Sequence, residues 1–424
     1  MIGTFFQKLK LVFKDETLRA RIFFVLGALA IFRILAIIPI PGVDAGRLDQ
    51  FFSNNQFLGL LNIFSGGGLS NLSIVMLGVG PFITASIIMQ LMTVLSPRMK
   101  AVYQEEGEAG RAKFTQWSRY LTVPLALMQS FAFLSLLQQN GIVPPLEFMA
   151  MMTNVLVIAA GSILLMWIGE LITEFGIGNG VSLIIFAGIV ASLPSALSQL
   201  VFTFDVSQIP LYLGFILAAV AVTAGVVFIT EAERPIPITY ARQTRGSKQS
   251  GGVSTYLPLR VNQAGVIPII FALSILLFPQ IVAAFFANSS LPYVSSIANA
   301  IVGGLANNLI YGALYFVLVF FFTYFYTAVT FDPKRISDNL QKSGAFIPGV
   351  RPGAHTAEHV ANILTRITLV GALFLGAIAV LPIGMQAITG ITTLAIGGTA
   401  LLIAVSVVLD IVKKIEAQIS IREY

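Results

Sequence analysis

GVGPFITASIIMQ, from Gly78 to Gln90, is the stretch that decides what fold this chain can adopt. With its flanks it is apolar and long enough to cross a bilayer, which takes about 20 helical residues. Yet it opens on Gly78, Gly80 and Pro81 and carries Thr84, Ser86 and Gln90. Immediately before it, FLGLLNIFSGGGLSN (Phe57 to Asn71) is apolar for about two helical turns and is then broken by Gly66, Gly67 and Gly68. Such a broken half-helix is tolerated at membrane depth only where it is buried in protein or lines a water-filled cavity. The two segments together point to a pore.

The pattern occurs twice. GVIPIIFALSI (Gly265 to Ile275), placed under GVGPFITASII (Gly78 to Ile88), matches at Gly78/Gly265, Val79/Val266, Pro81/Pro268, Ile83/Ile270, Ala85/Ala272 and Ile88/Ile275. A fainter pair is GVSLII (Gly180 to Ile185) with GTALLI (Gly398 to Ile403). Two matches in the same order, one in each half, point to an internal duplication.

Composition sets the class. Of 424 residues, 56% are hydrophobic and 10% charged, which makes the chain a polytopic membrane protein. There is no cysteine, hence no disulfide, no thiolate nucleophile and no cysteine metal site. The start, MIGTFFQKLKLVFKDETLRAR, is charged throughout and has no cleavage signature, so it reads as a retained cytoplasmic segment. Ten apolar spans follow, roughly 22–40, 73–95, 118–137, 152–171, 180–201, 211–230, 264–287, 306–329, 367–385 and 391–412. With ten spans, every Lys and Arg except Arg33 and Arg47 falls on one side, which is then cytoplasmic and holds both termini.

Five spans per half is an odd number, so a duplicated unit inserts upside down relative to its twin. The expected halves are 1–202 and 203–424, meeting at a shared site near the midplane. The matched segments bring isoleucines there. Ile83 and Ile87 share a face of span two, and Val181 and Ile185 have the same spacing in span five. Ile270 and Ile403 are the twins of Ile83 and Ile185. Singly, each reads as core packing or lipid contact; as a set at duplicated positions they fit an apolar constriction that excludes ions by dewetting.

Other chemistries find little support. Arg33 is the one clear ionisable residue inside a span, so the buried acidic or histidine relays of ion-coupled transporters are missing. An inverted-repeat transporter of small solutes nevertheless stays as the alternative reading. His355-Thr356-Ala357-Glu358-His359 matches the H-x-x-E-H zinc-protease pattern, but it lies beside Pro352 and Gly353 at the water interface and has no third ligand in the sequence. There is no G-x-x-x-x-G-K-[ST] loop, so no ATPase is built in. Two cytoplasmic loops, about 231–262 and 331–364, exceed what a turn needs. The first has Gly251 and Gly252 at its expected tip; the second presents Arg351 in FIPGVRPG.

Across essentially its whole length the chain resembles the bacterial SecY family, channel subunits of the general protein-secretion translocon. The resemblance rests on IPIPGVD (Ile38 to Asp44), FSGGGLSNLSI, LGVGPFITASIIMQL, EEGEAGR (Glu105 to Arg111), WIGELITEFGIGNGVSLIIFAGI, ERPIPITYARQ, LPLRVNQAGVIP and FIPGVRPGAHTAEH. It implies an all-α protein of ten transmembrane helices, two inverted five-helix halves around an hourglass pore. Ile83, Ile87, Val181, Ile185, Ile270 and Ile403 match the pore ring, with Val181 standing where isoleucine is expected. A broken helix of Asn62, Ile63, Phe64, Ser65, Gly66, Gly67, Gly68, Leu69, Ser70, Asn71 and Leu72 matches the plug. Spans two and three against seven and eight match the lateral gate, with Gln90, Gln129 and Ser274 lining it. Arg242, Arg245 and Lys248 match one docking loop for the ribosome or the SecA motor, although Pro235 replaces a basic residue there. Arg351 matches the other docking loop. The implied partners are SecE, SecG, the SecA ATPase, the ribosome, unfolded preprotein with its signal sequence, and membrane lipid. The implied location is the cytoplasmic membrane. No cofactor, metal or catalytic residue is implied.

Overall fold

The computed structural model describes residues 15–41, 65, 67–69, 71–139, 141, 143–202, 209–240, 243–245, 248–250, 254–286, 291–389 and 392–422. Each of the ten expected spans coincides with a helix. These are α1 (Glu16–Leu35), α2 (Gly80–Leu95), α4 (Gly107–Gln139), α5 (Phe148–Phe175), α6 (Gly180–Phe202), α7 (Ile209–Glu231), α8 (Ile267–Phe286), α10 (Asn308–Thr330), α12 (Ala354–Thr389) and α13 (Thr392–Arg422). Three shorter helices lie between them: α3 (Pro97–Gln104), α9 (Pro292–Ala306) and α11 (Pro333–Lys342). Among the described residues, five helices are long and apolar enough to cross a membrane, or six with the bent pair that starts at Gly80.

Helix boundaries follow local chemistry. Asp15 caps α1, its carboxylate accepting from the N–H groups of Thr17 and Leu18. Asn307 caps α10 through Leu309 N–H, and Asp332 caps α11 ahead of Pro333. Ser96 takes extended backbone before Pro97, as the residue before a proline must, so α2 ends there and the chain turns by 115° into α3.

The second span departs from expectation at its start. Residues 73–79 form turns, not helix. Short bonds from Met76 N–H to Ser73, Gly78 N–H to Val75 and Gly80 N–H to Leu77 carry the chain to α2. Gly78 has φ 57°, a left-handed backbone that glycine adopts without steric cost, and this ends any continuous helix before Gly80. The described part of the expected broken helix also consists of turns: Ser65, Gly67 to Leu69, Asn71 and Leu72 are all non-helical. Asn62, Ile63, Phe64, Gly66 and Ser70 lie outside the described residues.

The two long loops share one sheet. β1 (Glu233–Tyr240) and β4 (Ser254–Arg260) form an antiparallel hairpin in which Pro235 faces Pro258. Between them in the chain, β2 (Gln243–Arg245) and β3 (Lys248–Ser250) pair in a separate two-stranded sheet. Arg245 pairs with Lys248, while Gly251 and Gly252, the expected tip, lie outside the described residues. β5 (Ala345–Phe346), from the second loop, pairs with Thr239 and Tyr240, giving the order β4-β1-β5. Ile236, Leu259 and Ile347 pack beneath the sheet against Val360, Leu364 and Ile367 of α12.

The two halves meet along two seams. On one, α2 and α4 pack on α8, and α2 also reaches α10; on the other, α6 packs on α13. Ionic contacts brace each half internally: Arg119 of α4 bonds Glu170 of α5 at 2.6 Å, and Lys413 of α13 bonds Glu231 of α7 at 2.8 Å.

Candidate functional site

Within α2, Ile83 and Ile87 lie one helical turn apart and are both buried. Ile185 of α6, Ile270 of α8 and Ile403 of α13 are likewise inside. None of the five exceeds 5% exposure. All belong to a single apolar cluster, with Val181 packed against it from one turn before Ile185. Two helices from each half therefore contribute to one apolar cluster, which also holds Phe271, Leu273, Val407 and Leu183.

A second apolar cluster lies beside the glycine-rich turns. Leu69, Leu72, Met76 and Leu77 pack with Ile40, with Phe133, Leu134 and Leu137 of α4, and with Met151, Val155 and Ile158 of α5. Backbone bonds from Ile40 N–H to Leu72 and from Ile74 N–H to Ile38 stitch the same turns to the chain leaving α1.

The three expected seam residues occupy the helices that meet there. Gln129 of α4 and Ser274 of α8 are buried, and the Ser274 hydroxyl donates to the Ile270 carbonyl at 2.9 Å. Gln90 of α2 has a buried Oε1 with no hydrogen-bond partner among the described residues. The docking residues are only partly described. Arg242 lies outside the described residues; Arg245 and Lys248 are paired backbones in β2 and β3. Arg351 is exposed in the turn before α12, and its carbonyl accepts from Thr356 Oγ1. His355 and His359 are both exposed in the first turns of α12. Among the described residues, no three His, Asp or Glu side chains gather as metal ligands.

Comparison with known proteins matches this architecture to one family. The SecY family model covers residues 73–412. The protein translocase subunit SecY of Streptomyces scabiei is 42% identical over 428 residues, spanning 97% of each chain. That of Pseudomonas aeruginosa is 42% identical over 410 residues, spanning 96% of this chain and 92% of its own. This chain belongs to the SecY family. Solved structures agree in fold. One described as a protein-conducting channel aligns with a TM-score of 0.64 at 19% identity, over 93% of this chain and 91% of its own. A SecY structure whose plug domain is described as stabilising the closed channel and maintaining a membrane seal aligns with a TM-score of 0.65 at 19% identity, over the same shares. Canine Sec61 in a ribosome–channel complex aligns at 0.62 and 18%, also over those shares.

Two features carry no clear mark in the sequence. α9 falls between two expected spans, where the small and polar residues of PYVSSIANAIVGGLA hide its helical apolar face. Arg33, left without a partner group by the sequence, reaches Gly67: a Cβ built on that glycine would lie 3.6 Å from Arg33 Nη1. No local pattern links positions so far apart.

Proposed function

We propose that this multi-pass membrane protein is the channel through which unfolded polypeptides cross the cytoplasmic membrane, and that it releases apolar signal or transmembrane segments sideways into lipid. It belongs to a family of protein-conducting channels, not of enzymes. In this reading ten spans form two inverted halves around an hourglass pore, with both termini in the cytoplasm. The observation that supports the reading is the apolar cluster that holds Ile83, Ile87, Ile185, Ile270 and Ile403 from both halves, with Val181 packed against it.

The physical problem is the barrier. A polypeptide cannot enter hydrocarbon with its backbone groups unsatisfied, each costing several kcal/mol, and charged side chains add to that cost. A narrow apolar collar between water-filled funnels shortens the barrier to one layer of side chains. The collar yields around an extended chain and closes after it, and the segment 62–72 acts as the plug. The seam of α2 and α4 against α8 and α10 serves as the lateral gate, lined by Gln90, Gln129 and Ser274. A leucine in transit prefers lipid by roughly 0.3–0.6 kcal/mol and a central lysine disfavours it by ~3 kcal/mol, so side-chain chemistry sorts what leaves sideways. The sheet carrying Arg245 and Lys248, with Arg242 and Arg351, docks the ribosome or the SecA motor that supplies the energy. A ribosome-bound relative, the yeast Ssh1 complex, has the same fold, with a TM-score of 0.61 at 13% identity over 93% of this chain and 89% of its own. SecE and SecG cover part of the lipid-facing surface.

The test is ion conductance of the reconstituted complex. The resting channel passes few ions, and Ile403→Asn, which puts an amide into the apolar centre, raises the leak at least several-fold. An unchanged leak removes Ile403 from the collar. Ion-driven, saturable uptake of a small solute would instead favour a transporter.

A further inference from the structure

We propose that a hollow between α8, α9 and α10 is a binding site for one acyl chain of a membrane phospholipid. Its walls include Ile275 and Pro279 of α8, Ile301 and Gly304 of α9, and Leu314 and Leu318 of α10, with about 430 Å³ between them. Every residue that lines it is apolar. The gap follows from the sequence. Pro279 has no N–H, so it interrupts the backbone ladder of α8. Ala300 and Gly304 border the gap from α9 with almost no side chain, and a Cβ built on Gly304 would meet nothing within 4 Å. A second hollow of about 280 Å³ adjoins the first at Pro279 and Ile301. The site requires α10 to span the bilayer; it requires neither the collar nor the plug.

Depth decides the occupant. Asn307 caps α10, and the chain turns apolar from Leu309. At 1.5 Å per residue, Ile310, Leu314 and Leu318 lie about 3, 9 and 15 Å along α10 from Asn308. Half of the hydrocarbon core is about 15 Å. The hollow therefore runs from one surface of the core to its middle, the reach of one acyl chain. Its rim faces lipid: Ile310 and Leu314 are exposed, and Tyr293, Ile297 and Ile301 form an exposed stripe at helical spacing along α9. Its floor is protein. Leu276 belongs to the apolar centre, and Ile275, Leu305 and Leu318 pack against that centre. Water finds no hydrogen bond in such a place, and left unfilled it forfeits dispersion contacts. A partner helix is about 10 Å across and can only lie over the mouth, whereas a string of methylenes fits inside. Ile310 is within one turn of Asn307 and Asn308, so a headgroup attached to that chain sits in water beside them.

The experiment places the full complex in vesicles of phosphatidylethanolamine and phosphatidylglycerol that hold a trace of phosphatidylglycerol with a mid-chain diazirine. Illumination and peptide mapping compare label on Leu314 with label on Val317, an exposed residue of the same helix that meets ordinary lipid. Leu314 takes about tenfold more label than Val317. Gly304→Leu and Ala300→Leu, each filling the hollow with room for several methylenes, bring Leu314 down by about that factor. Both leave the Val317 label and the thermal midpoint of the complex unchanged, and either variant alone suffices if the other fails to fold. Equal label on Leu314 and Val317 in the native complex overturns the site, since the lipid there is then ordinary boundary lipid. Strong Leu314 label that neither filled variant reduces also overturns it. A diazirine fatty acid at the same mole fraction that labels Leu314 as strongly overturns the assignment to phospholipid. Ile301→Cys supplies a single thiol in a chain without cysteine; its efficient cross-linking to another protein chain overturns the site in favour of a partner helix.

Discussion

The approach to α2 and the approach to α8 follow one path. Gly78 and Gly265, matched in sequence, both take left-handed backbone, with φ 57° and 61°. Helix begins two residues later in each, at Gly80 and at Ile267, with Pro81 or Pro268 next. Ile83 N–H donates to Val79 at 3.0 Å, and its counterpart Ile270 N–H donates to Val266 at 3.3 Å. Four residues before each glycine, a carbonyl lies against a glycine on a neighbouring helix. A Cβ on Gly161 of α5 would stand 2.1 Å from Ile74 O, and one on Gly371 of α12 would stand 2.7 Å from Val261 O. These shared details support a duplication beyond the six matched letters.

The copies differ in what satisfies the glycine carbonyl. Gly78 O accepts from Ser162 of α5 at 2.7 Å, a bond between elements. Gly265 O accepts from Asn262 at 3.2 Å, a bond inside its own turn. They also differ in what precedes them: the glycine-rich turns before α2, the β1–β4 hairpin before α8. A segment bonded across elements cannot shift without stranding a buried carbonyl, whereas a self-bonded one can. On that ground the turn before α8 is expected to shift more readily than the turn before α2.

The strongest way to break this contrast is steric. Gly161→Ala forces its methyl into the Ile74 carbonyl and costs ~3 kcal/mol or more, while Gly371→Ala, with the wider gap, costs ~1–2 kcal/mol. Thermal inactivation midpoints of the solubilised complex read the order, and a larger drop for Gly371→Ala removes the claim that the first copy is the tighter. Next is the capping bond. Ser162→Ala leaves a buried carbonyl bare and costs ~1–3 kcal/mol; Asn262→Ala costs ~1 kcal/mol and leaves its turn exposed to solvent exchange, so hydrogen exchange rises around Gly265 more than around Gly78. Equal exchange at both would erase the difference. The smallest effect belongs to the ionic braces. Arg119→Ala and Lys413→Ala each lower stability by no more than ~1 kcal/mol, with the Arg119 effect weaker at high salt. A several-fold change in ion leak from either would mean that the braces act across the seams, not within the halves.

The repeat was legible because glycine and proline positions survive in a run where nearly every other residue is apolar. The isoleucines were legible for the same reason, since their spacing places them on one face, and all five lie inside the apolar centre together with Val181. The start of α2 was not legible. Ser73 to Val79 is as apolar as the helix that follows, and its turn is set by Gly78 together with a hydroxyl from Ser162, far along the chain. The pairing of β5 with β1 joins two loops separated by about a hundred residues, and a two-residue strand leaves no periodic trace.

The facing prolines of the docking sheet carry a consequence for traffic. Proline has no N–H, so Pro235 and Pro258 must form a pair without ladder bonds, with their ring nitrogens turned to the sheet's two outer margins; Pro237, in register with Pro235, does the same. The outer margin of β1 therefore lacks two donors that an added strand would need, which makes that edge a poorer template for pairing.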